Sequence, residues 1–214
     1  MGPAGTGHGN VRVLREMNPG RPKPAMGFLT IVDHSEEGLF GGYLILNTAG
    51  RPLEFHCTAP IKPNRTQQIL YGPTLEPYLY GEQIGRALVS RAKTQPVVIC
   101  TDREPALTVR QFVDVPVALV LPGASEPPGA GAGVACEPAG ESIGQRTWRL
   151  DEAHRSTPLM SFALGRNQLA VRQTEDADRQ AIRERLDTLA ETFDLAEPFG
   201  RIREAIEEAR RAAH

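Results

Sequence analysis

The chain has 214 residues, 40% of them hydrophobic and 23% charged, and a formal net charge of −2. That composition is enough for a packed core and excludes a fully disordered chain. The near-neutral charge gives no global field toward nucleic acid or an anionic membrane, and no apolar run is long enough to span a bilayer.

Cys57, Cys100 and Cys136 are scattered, with no C-x-x-C pair. This fits a reducing cytoplasm better than a disulfide framework or a structural zinc site. Residues 1–26 lack the apolar core of a secretory signal. They carry Gly and Pro, with Arg12, Arg15, Arg21 and Lys23, and read as a mildly basic, flexible tail.

Folding is expected from Gly27. "GFLTIVDH", "GGYLILN" and "RPLEFHC" are short apolar runs separated by "SEEG" and "TAG", which predicts an antiparallel meander. Pro60 and Pro63 then break the third strand. Asn64 and Gln67 have the spacing of a capping box, so "RTQQIL" reads as a short helix with Gly72 at its C′ position. From about Glu76 to Lys93 the pattern predicts a longer helix, with Ile84, Leu88 and Ala92 on one face. Gly81 and Gly85 would cost such a helix about 2 kcal/mol against alanine, tolerable where another backbone packs close.

"PVVICTD" and "VPVALVLP" read as strands buried on both faces, joined through a short helix that carries Pro105 near its start. Strand, helix, strand fits a parallel crossover. Residues 122–142 are a Pro/Gly-rich linker containing Cys136, whose neighbour Glu137 does nothing to activate a thiol. Beyond it, "QRTWRLDEA" reads as a strand and "LMSFALGRNQLAVRQT" as a hairpin turning at 165–167. Two helices close the chain, with seams of Ile182, Leu186, Leu189, Phe193 and of Phe199, Ile202, Ile206, Ala209. Asp194 and Pro198 mark the break of this αα-hairpin.

The expected class is therefore α/β (α+β). A mixed-sheet domain covers 27–121, the linker 122–142, and a smaller region of hairpin and helices 143–214, which can dock back on the sheet.

Three constellations invite chemistry. His56 adjoins Cys57, but neighbours on a strand point to opposite faces, so a thiol–imidazole dyad is not expected and Cys57 reads as a small core residue beside Leu53 and Phe55. Lys62 and Arg65 flank a helix start and offer an anion site, or simply solvated charge. Asp33, His34 and Asp102 follow strands, where open α/β sheets gather ligands; they can form an acid/base pair or hold a divalent cation. Asp102 serves equally well as a helix cap. No nucleophile elbow, H-E-x-x-H, P-loop or dinucleotide fingerprint is present in the sequence.

The leading expectation is a non-catalytic intracellular module acting through protein contacts, with Phe199, Ile202 and Ile206 of the closing helix as its binding residues or its means of self-association. No cofactor is expected for it. One alternative is a metal-assisted hydrolase using Asp33, His34 and Asp102. Another is a nucleic-acid-associated factor using the basic tail with Lys62, Arg65, Arg86, Arg91 and Lys93, although acidic residues outnumber arginines in the closing helices.

Overall fold

The computed structural model describes residues 24–122, 158–191 and 193–212. The expected tail up to residue 23, the linker with Cys136 and the Trp148 strand lie outside the described residues.

Seven strands form one mixed sheet in the order β3-β2-β1-β4-β5-β7-β6. β1 (Ala25–His34), β2 (Gly38–Asn47) and β3 (Pro52–Cys57) make the antiparallel meander. β4 (Val98–Thr101) lies parallel to β1, and β5 (Val117–Leu121) parallel to β4. β6 (Leu159–Leu164) and β7 (Asn167–Arg172) form the hairpin, and β7 pairs antiparallel with β5. The hairpin thus extends the sheet of residues 25–121, and the described residues share one sheet.

Period-two alternation sorts the sheet into two apolar faces. Leu29, Ile31, Tyr43, Ile45, Ile99, Val117 and Leu119 face one helical layer. That layer holds α2 (Leu75–Pro77), a π-helical turn (Tyr78–Gly85), α3 (Arg86–Arg91) and a 3-10 segment (Glu104–Phe112). The continuous helix expected from Glu76 is therefore a chain of α, π and α pieces. Gly81 sits where the 3-10 segment crosses, and a Cβ there would lie 2.6 Å from Thr108 Cβ and 3.0 Å from the Val109 nitrogen. Close backbone approach is the reason for glycine at this crossing.

Met26, Phe28, Phe40, Leu44, Val98, Cys100 and Val120 face the other layer, built from α4 (Asp176–Ala190) and α5 (Glu197–Ala212). α4 packs on β6 and β7, and α5 on β1 and β2. Gly41 and Gly42 let both layers close on β2. A Cβ on Gly41 would overlap Ile84, and one on Gly42 would overlap Ile202. Among the described residues no helix is long and apolar enough to cross a membrane.

Candidate functional site

β3 is an outer strand, and its side chains divide sharply between its two faces. Glu54 and His56 point toward the α3 side. The Glu54 carboxylate accepts from the backbone N–H of Lys93 at 2.9 Å and of Thr94 at 2.6 Å, and lies 3.0 Å from His56 Nε2. The polar residues of the strand are thus committed to closing the loop after α3 (Arg86–Arg91).

Phe55 and Cys57 lie on the opposite face and are only partly covered, while Leu53 falls at a register shift in the pairing with β2. Leu53 is 48% exposed and Phe55 39% exposed. Cys57 is exposed as well, which corrects the expectation of a buried thiol. The alternation holds over 54–57 and is broken by the register shift at Leu53; the burial differs because α5 packs over β1 and β2 and leaves the outer strand open. His56 stands opposite Tyr43 and Cys57 opposite Gly42, on different faces, so the two do not form a dyad.

At the Cys57 end the open face runs into a cavity of about 530 Å³. Phe40, Cys57, Ala59, Pro60, Ile206 and Ala209 give it an apolar wall, and Glu36, Lys62 and Arg210 a charged rim. Arg210 bridges Glu37 at 2.8 Å and Glu207 at 3.0 Å, tying the end of α5 to the β1–β2 turn. Lys62 donates to the Glu36 carbonyl, closing the other side. No strand pairs with the outer edge of β3 among the described residues. Its backbone N–H and C=O groups therefore have no ladder partner on that side.

His34 and Asp102 lie on the α5 side. His34 Nε2 is 2.8 Å from Glu207 Oε1, and Asp102 pairs with Arg203. Asp33 points the other way, into a smaller cavity of about 350 Å³ with Glu76 and Tyr80. The sheet separates it from the other two. Among the described residues no group of three or more His, Cys, Asp or Glu side chains gathers in a metal-binding arrangement.

Arg65 opens α1 (Arg65–Tyr71) and is exposed. Arg86 lies over the Phe112 ring at 5.3 Å. Phe199, Ile202 and Ile206 are 1%, 0% and 2% exposed, packed on the chain's own sheet. A partner cannot reach them as a seam, although Ile206 floors the cavity beside Cys57. This is a correction to their expected role: the stripe of α5 is used up by the sheet, and the open apolar surface lies on β3. α1 is also open, with Ile69 and Leu70 at 69% and 76% exposure.

The buried thiol, Cys100, is pushed up to about 12 by desolvation and is chemically inert. No protein-family model matches the chain, and no curated protein matches it.

Proposed function

We propose that the protein is a binding module that takes up an extended segment of a protein partner along β3. The observation carrying this reading is the pairing of a free strand edge with half-exposed Phe55 beside Cys57, which lines an apolar cavity. Added-strand recognition uses these two elements together: backbone hydrogen bonds supply affinity, and alternate side chains entering pockets supply specificity. Proteins commonly protect outer strands with charge, prolines or a covering element. β3 begins with Pro52 but directs its only charged residue, Glu54, away from the open face. The expected ligand is an extended peptide with apolar residues at alternate positions.

The test is selection of peptides from a random library on the wild-type chain, with counter-selection on Phe55→Glu. Phe55 is 39% exposed and belongs to neither apolar core, so the variant should keep its stability to within about 1 kcal/mol. Selected peptides should share an apolar-x-apolar pattern, shift the amide resonances of 53–57, and lose at least about tenfold in affinity on the variant, which is about 1.4 kcal/mol. Peptides that bind Phe55→Glu equally well would sink the reading. Pairing of two chains through β3 would show instead as concentration-dependent dimerisation abolished by the same substitution.

A further inference from the structure

A second cavity, of about 560 Å³, opens at the carboxyl ends of the parallel strands β4 and β5, at the opposite end of α5 from the β3 groove. From Phe199 in its wall to Ala209 in the β3 groove, α5 rises about 15 Å. We propose that this cavity binds a small anion, a phosphate or carboxylate group, through the guanidinium groups of Arg103, Arg166 and Arg203. The inference is independent of the β3 reading.

The charges facing the cavity support an anion over a cation. Its walls carry three arginines and two aspartates; one oxygen of each aspartate is engaged, and Asp102 Oδ1 is buried with no hydrogen-bond partner among the described residues. Asp102 is paired with Arg203, and Asp194 Oδ1 accepts the Ala196 N–H at 2.9 Å. Arg103 donates from Nε to the Ile31 carbonyl at 3.1 Å and its charge also acts on Tyr80, while its two terminal nitrogens have no hydrogen bond among the described residues. Arg166 is exposed and makes no ion pair among the described residues. Guanidinium groups present parallel N–H donors in a fork that matches the oxygens of phosphate and carboxylate.

The cavity is held by rigid elements. Asn167 donates from Nδ2 to the carbonyls of Ala190 at 3.2 Å and Phe193 at 2.9 Å, and its Oδ1 accepts the Leu195 N–H at 2.9 Å. One amide thus bolts the β6–β7 turn, which carries Arg166, to the connection between α4 and α5. Gly165 takes φ of 56°, and the Arg166 N–H donates to Ala190 at 3.3 Å, so the turn cannot drift from its seat. Arg103 is fixed by its bond to β1, and Arg203 by its bond to Asp102. Val120, Leu121 and Phe199 supply an apolar wall for the body of a ligand. The position is the one at which open α/β sheets receive ligands, outside the carboxyl ends of parallel strands.

The probes are inorganic phosphate and citrate, each compared with chloride at matched ionic strength, read as the shift in melting temperature of the full chain. A ligand bound only to the folded state raises stability as RT ln(1 + [L]/Kd). The expected result is a rise above chloride that follows saturation and weakens about tenfold in apparent affinity on Arg166→Gln, an exposed position where the substitution leaves the fold intact. Arg65→Gln, on α1 and outside the cavity, should leave the rise unchanged. A rise with phosphate alone assigns a phosphate ligand, and a rise with citrate alone a carboxylate. The proposal is overturned if neither anion exceeds chloride, or if Arg166→Gln and Arg65→Gln behave alike.

Discussion

Glu54 shows how one side chain can hold an outer strand in place. Hydrogen bonds from Thr94 and from the Lys93 amide, with His56 adding to them, hold its carboxyl down to about 2, against an ordinary value of 4.5. The side chain is only 17% exposed. A depressed carboxyl binds fewer protons folded than unfolded between these two values, so stability rises with pH across that window. The contribution is fully present above about pH 4.5 and is lost as pH falls through about 2. Urea midpoints measured from pH 5 down to about pH 2 should therefore fall more steeply for the wild type than for Glu54→Gln. Parallel curves would show that Glu54 is not what ties β3 to the loop after α3. The same residue explains the open groove: with its carboxylate committed to one face, the strand has no acid left to guard Phe55.

At the scale of elements, α1 separates what is legible locally from what is not. Its capping box is complete: Asn64 Oδ1 accepts the Gln67 N–H at 2.8 Å, and Gln67 Oε1 accepts the Asn64 N–H at 3.0 Å. Gly72 ends it with φ of 48°. These features depend on residues three to eight apart, so the sequence spells them out. Yet α1 buries none of its residues, a fact decided by distant parts of the chain. Asn64→Ala should remove about 1 kcal/mol from the helix. Because nothing from α1 enters the core, amide exchange in 65–71 should accelerate while the global unfolding midpoint stays nearly fixed. A fall in the global midpoint of the full cap energy would mean that α1 is coupled to the sheet. The π turn at Tyr78–Gly85 was equally hidden, since Gly81 and Gly85 mark a close crossing without saying what crosses. Strand periodicity gave the meander and the parallel pair but was silent on strand order. It therefore misjudged Cys57, which is apolar in pattern but lies on a strand that α5 does not cover. Asp33 and His34 are neighbours in the chain and face opposite sides of a sheet that places Asp102 with only one of them. The anion cavity joins Arg103, Arg166 and Arg203 from three separate elements, so no local spacing announces it.

For the whole molecule, the decisive question is whether residues up to 122 can stand without the rest, as a division at 122–142 would suggest. The two faces of the sheet answer differently. One face is covered by helices from within 65–112, whereas the other is covered by α4 and α5, which come after residue 158. Removing them would bare Met26, Phe28, Phe40, Leu44, Leu46, Val98 and Val120 together. At about 1.5–3 kcal/mol for each large buried side chain, the loss is of order 10–20 kcal/mol. That matches or exceeds the roughly 5–15 kcal/mol by which domains are stable at all. β5 would also lose β7 and become a second open edge. A bidentate pair reinforces the same union: Arg110, on the 3-10 segment, donates to Asp178 of α4 from Nε at 2.6 Å and from a terminal nitrogen at 3.2 Å. Asp178 is 5% exposed and the Arg110 side chain 28%, so the pair ties the two helical layers together in a partly buried setting. The fragment 1–122 should therefore bind a hydrophobic dye, lack a cooperative thermal transition and associate, while the full chain unfolds in one transition by both near- and far-ultraviolet circular dichroism. A monomeric fragment with its own sharp transition would mean that the α4–α5 layer is an attachment to a self-sufficient sheet. The β3 groove and the anion cavity, both walled in part by α5, would then be properties of a docked appendage rather than of the core.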